Sequence, residues 1–149
     1  MTYNEKRLNH HFRKTHMEQL NLITNFLGIK DKNIIITNEY DMGMHKELHG
    51  YLDYESPKCP ACKGQVGKYD FQKASKIPYL ECAGYGTLIR LKKRRFKCKE
   101  CGKMAVAETS LVKKNHQIAT VVYQKIAQLL IEKQSMTDIA KRLAVSTST

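Results

Sequence analysis

Four of the five cysteines fall in two C-x2-C pairs, Cys59-Pro60-Ala61-Cys62 and Cys98-Lys99-Glu100-Cys101, with 35 residues between the pairs. A pair at this spacing presents two sulfurs from one tight turn. Two such pairs complete a tetrahedral Zn²⁺ shell with Zn–S bonds of about 2.3 Å. Four thiolates close that shell and leave no position for a reactive water, so the predicted role of the metal is structural. Pro57 and Pro60 bracket the first cysteine, while Gly64 and Gly102 follow the pairs. Turn-forming residues suit a knuckle whose backbone N–H groups must approach sulfur. Cys82 lacks a partner at knuckle spacing and reads as a small, half-buried filler.

The segment entering the second pair is Arg90-Leu91-Lys92-Lys93-Arg94-Arg95-Phe96-Lys97. It belongs to a chain of 149 residues with formal net charge +12. The charge is unevenly spread: residues 86–149 carry 14 Lys/Arg against 4 Asp/Glu, and residues 1–85 carry 12 against 10. The C-terminal half is therefore the half expected to face a polyanion. Arg90, Lys92, Arg94 and Lys97 are expected to line a strand against phosphates, with Lys93 and Arg95 on its other face. Lys113, Lys114, Lys141 and Arg142 extend the same electropositive surface. Phosphate contact is the expected role, since most protein–DNA hydrogen bonds go to the backbone. Phe96 reads as core beneath the strand. Tyr69, Tyr79 and Tyr85 fit either base stacking or packing.

The elements that position these residues give an α+β reading with four parts. Residues 1–16 hold His10, His11 and His16 without apolar periodicity and read as a flexible tail. Residues 17–56 form a small helix–strand unit. Leu20, Ile23, Phe26 and Leu27 recur at helical spacing before a capping Gly28, Asn33–Thr37 is a β-branched run, and Leu48, Gly50, Leu52 and Tyr54 alternate onto one face. Asp41-Met42-Gly43 supplies the turn between those strands. Residues 57–109 form the four-cysteine zinc ribbon, with antiparallel strands over Val66–Lys76 and Thr87–Lys97, interruptions at Pro78 and Ala83–Gly86, and a short strand at Met104–Ala107. Residues 110–149 are helical. Ile118, Val121, Val122, Ile126, Leu129 and Leu130 fit one helix face. Ser135 or Thr137 caps a second helix with Ile139, Ala140 and Leu143 inside, and Ser146 is placed to cap a third. This is the grammar of a helix-turn-helix that stops before its recognition helix.

Other chemistry is weaker. His45-Lys46-Glu47-Leu48-His49 places two histidines four apart, but the Glu is one position late for a metalloprotease helix. These histidines are expected to be solvent-exposed. No H-x-E accompanies a cysteine knuckle, as a zinc deaminase requires, and no G-x-S-x-G nucleophile motif occurs. No secretory leader and no stretch apolar enough to span a bilayer is visible, so a thiol-reducing cytoplasm, close to the nucleoid, is the expected setting.

The combination C-P-x-C, Leu91-Lys92-Lys93-Arg94-Arg95-Phe96-Lys97-Cys98-x-x-Cys101, Val112-Lys113-Lys114-Asn115 and Ser135-x-x-Asp138-Ile139-Ala140 resembles the N-terminal part of bacterial insertion-sequence transposases of the ISL-three type. Leu27–Ile34 is also similar to the start of those proteins, and the resemblance runs from about Met17 to Ser146. It implies a structural zinc ion held by Cys59, Cys62, Cys98 and Cys101. It also implies double-stranded DNA, the terminal inverted repeats of the element, as partner. In that family a downstream domain with three metal-binding carboxylates cuts and joins the strands. That domain is absent from this sequence, so DNA and zinc binding carry over and catalysis does not. The sixteen residues before Met17 depart from the family pattern. A basic zinc ribbon that binds RNA or a protein partner is the alternative. The oligomeric state, a homo-oligomer included, and the target bases are not legible.

Overall fold

The computed structural model describes residues 16–132 and 135–148. The expected tail, apart from His16, and the final Thr149 lie outside them. Helix α1 (16–26) is followed by strands β1 (Ile34–Asp41), β2 (His45–Leu52), β3 (Val66–Phe71), β4 (Ser75–Cys82), β5 (Tyr85–Cys98) and β6 (Met104–Val106). Helices α2 (Thr120–Ile131) and α3 (Met136–Leu143) complete the described chain. The architecture is α+β, as expected.

Helix α1 ends on Gly28, whose φ of +70° is the left-handed value a capping glycine accepts without strain. Gly28 N–H donates to Asn25 O and Ile29 N–H to Thr24 O, which satisfies carbonyls the helix would leave open. Leu20 is buried and Ile23 and Leu27 are partly so, but Phe26 is 87 % exposed. The apolar stripe therefore follows positions 20, 23 and 27, and Phe26 lies beyond its edge.

Strand β5 organises the sheet. It pairs β2 in parallel and β4, β3 and β6 antiparallel, while β1 pairs only β2. The expected first ribbon strand is thus two strands, β3 and β4, both antiparallel to β5. Pro78 lies inside β4 instead of interrupting it. Strand β4 has β5 as its single neighbour, so the missing N–H breaks no ladder on the outer side. The β4–β5 turn is Ala83-Gly84, with φ of 52° and 80°, the paired positive values of a two-residue hairpin.

Side chains alternate along β5, and its buried side changes midway. Thr87, Ile89 and Leu91 are buried in the first half, Phe96 and Cys98 in the second. In the first half the inner face meets Leu48 and Leu52 of β2, Ile34 and Ile36 of β1, and Ile77 and Tyr79 of β4. Val122 and Leu129 of α2 and Ile139 and Leu143 of α3 join this core. Tyr79 Oη donates to Leu27 O at 2.7 Å, tying the end of α1 to β4. Gly50 is required by close approach, since a Cβ there would lie 2.5 Å from Ile35 O. Strict alternation also puts Lys97 with Lys93 and Arg95, not with Arg90, Lys92 and Arg94.

The helical segment follows the expected capping. Ser135 is the N-cap of α3, accepting from Asp138 N–H at 3.2 Å, and Ile139, Ala140 and Leu143 are buried. Leu130 falls outside the buried stripe of α2, at 44 % exposed. Among the described residues no helix is long and apolar enough to cross a membrane.

Candidate metal centre

The two knuckles are copies of one local design. In the first, Lys63 N–H donates to Cys59 O at 2.9 Å and Cys59 N–H to Gly64 O at 3.2 Å. In the second, Gly102 N–H donates to Cys98 O at 3.1 Å and Cys98 N–H to Lys103 O at 2.9 Å. The residue after each pair is left-handed: Lys63 has φ 61° and Gly102 has φ 69°. Gly64, the expected turn glycine, is not left-handed, and the Glu100 carboxylate lies against its Cα. Lys99 N–H donates to Gln65 O at 3.0 Å and locks the knuckles together.

This geometry brings Cys59, Cys62, Cys98 and Cys101 into one cluster whose sulfurs all lie within 4.8 Å of one another. Cys59 Sγ and Cys101 Sγ are 3.6 Å apart, and Cys62 Sγ and Cys98 Sγ 3.5 Å. Sulfurs bonded at 2.3 Å in a regular tetrahedron stand about 3.8 Å apart, so the four fit Zn²⁺ closely. The first cysteine of each pair is buried and the second exposed. Backbone N–H groups of Cys62 and Ala61 aim at Cys59 and hold its thiol down at about 6. The N–H groups of Cys101 and Glu100 likewise lower Cys98. At Cys62 the Gly64 N–H favours the thiolate, but the crowded sulfurs of Cys98 and Cys101 override it and push the thiol up to about 12. Four thiolates cannot share this space without a cation. The site is a structural four-cysteine zinc site, and Cys82, half-buried at the end of β4, stands apart from it.

The basic residues separate into two groups. Arg90 grips Glu47 with two hydrogen bonds, 3.0 and 2.9 Å. Arg94 grips Asp53 at 3.2 and 3.1 Å and lies 3.7 Å from the centre of the Phe71 ring. Arg95 makes a two-pronged pair with Asp70, and Arg142 one with Glu81. Lys114 reaches Glu108 at 2.8 Å. Guanidinium forks suit carboxylates as well as phosphates, and the four arginines among the described residues hold carboxylates. Among the described residues Lys92, Lys93, Lys97, Lys113 and Lys141 are in no ion pair. Lys97 lies over the exposed Tyr69 ring at 5.6 Å. Tyr79 is core, and Tyr85 sits beneath Lys46.

One cluster departs from expectation. His45 and His49 are half-buried rather than solvent-exposed, and their Nε2 atoms lie 3.3 and 2.9 Å from the Glu47 carboxylate. Residues 45, 47 and 49 share one face of β2, the face opposite Leu48 and Leu52. The strand alternation that places Leu48 inward also places this trio together. Glu47 is buried, and the Arg90 hydrogen bonds, then that of His49, hold its carboxyl down at about 2.

Residues 55–101 match the family described as the zinc-finger of transposase IS204/IS1001/IS1096/IS1165. The matched span contains all four zinc ligands and Arg90–Lys97. No curated protein and no solved structure matches the chain.

Proposed function

We propose that this chain is a DNA-binding module of an insertion-sequence transposase, which recognises the terminal inverted repeats of its element and depends on zinc for its fold. The observation that carries the reading is the coincidence of a transposase-type zinc ribbon at residues 55–101 with four converged thiolates and a strongly basic C-terminal half. Zinc fixes both ends of the ribbon, and the ribbon fixes the exposed lysines around it. The closed four-thiolate shell offers no site for a zinc-bound nucleophile, so the part zinc plays in the proposed function is to hold the fold. Helices α2 and α3 supply the first part of a helix-turn-helix reader. Such a protein works at the bacterial chromosome, in the cytoplasm.

The test is binding of the zinc-loaded chain to labelled duplex from the flanking ends of its own gene, against scrambled duplex of equal length. The expected result is tighter binding to the ends, by at least about tenfold at near-physiological salt, with affinity falling steeply as salt rises. Equal affinity for both duplexes would remove recognition of the ends. Structured RNA displacing the duplex at equal concentration would favour the RNA-binding alternative.

A further inference from the structure

We infer that the groove between β6 and the segment 109–117 is the track for the phosphodiester backbone of bound nucleic acid, and that Lys93 and Lys113 are its principal phosphate ligands. This rests on the DNA-binding reading and names the surface that performs it. The groove has a volume of about 840 Å³, far more than a single phosphate fills. Its polar lining includes Lys93, Lys113, Lys114, Asn115, His116 and Gln72, over a floor that includes Ala107 and Val112. Glu108 is the one acid in the lining, and it is already paired with Lys114.

Three features point to a phosphodiester strand. Cations outnumber acids three to one among the lining residues, and Lys93 and Lys113 hold no carboxylate among the described residues. The remaining polar side chains include three amides, Gln72, Asn115 and Gln117, which can donate to phosphate oxygens that only accept. The arginines of β5 and α3, the residues best suited to phosphate by type, are held by Glu47, Asp53, Asp70 and Glu81. Lysines are left to bind phosphate, and this groove gathers two that hold no carboxylate among the described residues, the half-buried Lys93 and the exposed Lys113.

The groove is also built, not incidental. His116 N–H donates to Lys113 O at 3.0 Å, and Asn115 has φ 63°, so Lys113 to His116 form a tight turn that presents its side chains together. The opposite wall is tied to the metal. Pro60 lies between two zinc ligands, and Met104–Val106 follow the second knuckle directly. Zinc loading therefore shapes the groove without any part of the metal touching nucleic acid.

The experiment compares three zinc-loaded proteins on labelled duplex across a salt series: wild type, K93A/K113A, and K76A/K125A. The last removes the same charge from β4 and α2, outside the groove. The groove variant is expected to lose about tenfold or more in affinity at low salt, and to lower the log–log salt slope by about 1.8, or 0.9 for each phosphate left unneutralised. The charge-matched variant is expected to stay within about threefold of wild type, because removing charge away from the phosphate track releases few counterions. Thermal melts of all three should coincide, since none of these lysines is in an ion pair among the described residues. Equal losses in both variants, or no loss in the groove variant, would overturn the groove while leaving DNA binding standing. A wild-type chain that binds no duplex would overturn both, and would show it before any variant is made.

Discussion

Removing the metal, or replacing Cys98 with Ser, is expected to unfold the ribbon while the helix-covered part of the sheet persists. Structural zinc contributes an apparent 10–16 kcal/mol in small zinc domains, on the order of the whole stability of a typical domain. The ribbon has little else to hold it. Its buried residues at the metal are Cys59 and Cys98, with Phe96 and Ala107 at the margin of the main core, whereas the other half of β5 lies within that core, built from three helices and four strands. Hydrogen exchange should show the split within a single strand. Amides of residues 94–98 should lose protection on chelation, and those of 87–91 should keep it. The Cys98→Ser protein should retain less than one zinc per chain and show the same pattern. A chelated chain with wild-type protection at 94–98 would mean that the cysteines are not what holds the ribbon.

The second large effect is expected at Glu47. Replacing it with Gln should cost about 2 kcal/mol, the scale of losing charge-assisted hydrogen bonds to a buried carboxylate, since the Arg90 side chain keeps 32 % of its surface in water. Arg90 is the donor, on the adjacent strand β5. Urea melts at neutral pH with saturating zinc measure the loss. Replacing both residues with leucine should cost less than Glu47→Gln alone, because no charge is then left without its partner. The pH dependence has a definite sign. The Glu47 carboxyl is held at about 2, below its ordinary 4.5, so the folded state prefers it ionised. Its contribution is complete above pH 4.5 and fades as pH falls from there toward 2. Asp53, lowered chiefly by its Arg94 hydrogen bonds, and Asp70, lowered chiefly by those of Arg95, act in the same direction. Wild type should therefore lose stability more steeply than Glu47→Gln below pH 4.5. Parallel curves, or a Glu47→Gln protein as stable as wild type, would show that the cluster is ornamental.

The difference between what can and cannot be read from the residues is one of range. The zinc knuckles, the Gly28 cap, the alternation of Leu48 and Leu52, and the Ser135 cap with Ile139 and Leu143 all depend on spacings of a few residues. Local backbone geometry decides such features, and each stands where the pattern places it. The ion pairs depend on register between distant strands. Arg90 meets Glu47 and Arg94 meets Asp53 across more than forty residues of chain, so no local pattern separates a phosphate-binding arginine from a carboxylate-bound one. The change of buried side along β5 has the same origin. A period of two shows which residues share a face but not which face a second layer will cover. The His45–Glu47–His49 face is within reach of the sequence, because strand alternation alone puts the three together.

Whether a zinc-held ribbon presents cations to DNA is decided by duplex binding across a salt series with the metal in place and after chelation. The zinc-loaded chain should bind with a steep salt slope, and the chelated chain should lose both most of its affinity and part of that slope. A chelated chain that bound the same duplex with unchanged affinity and slope would mean that zinc does not position the cations that hold DNA.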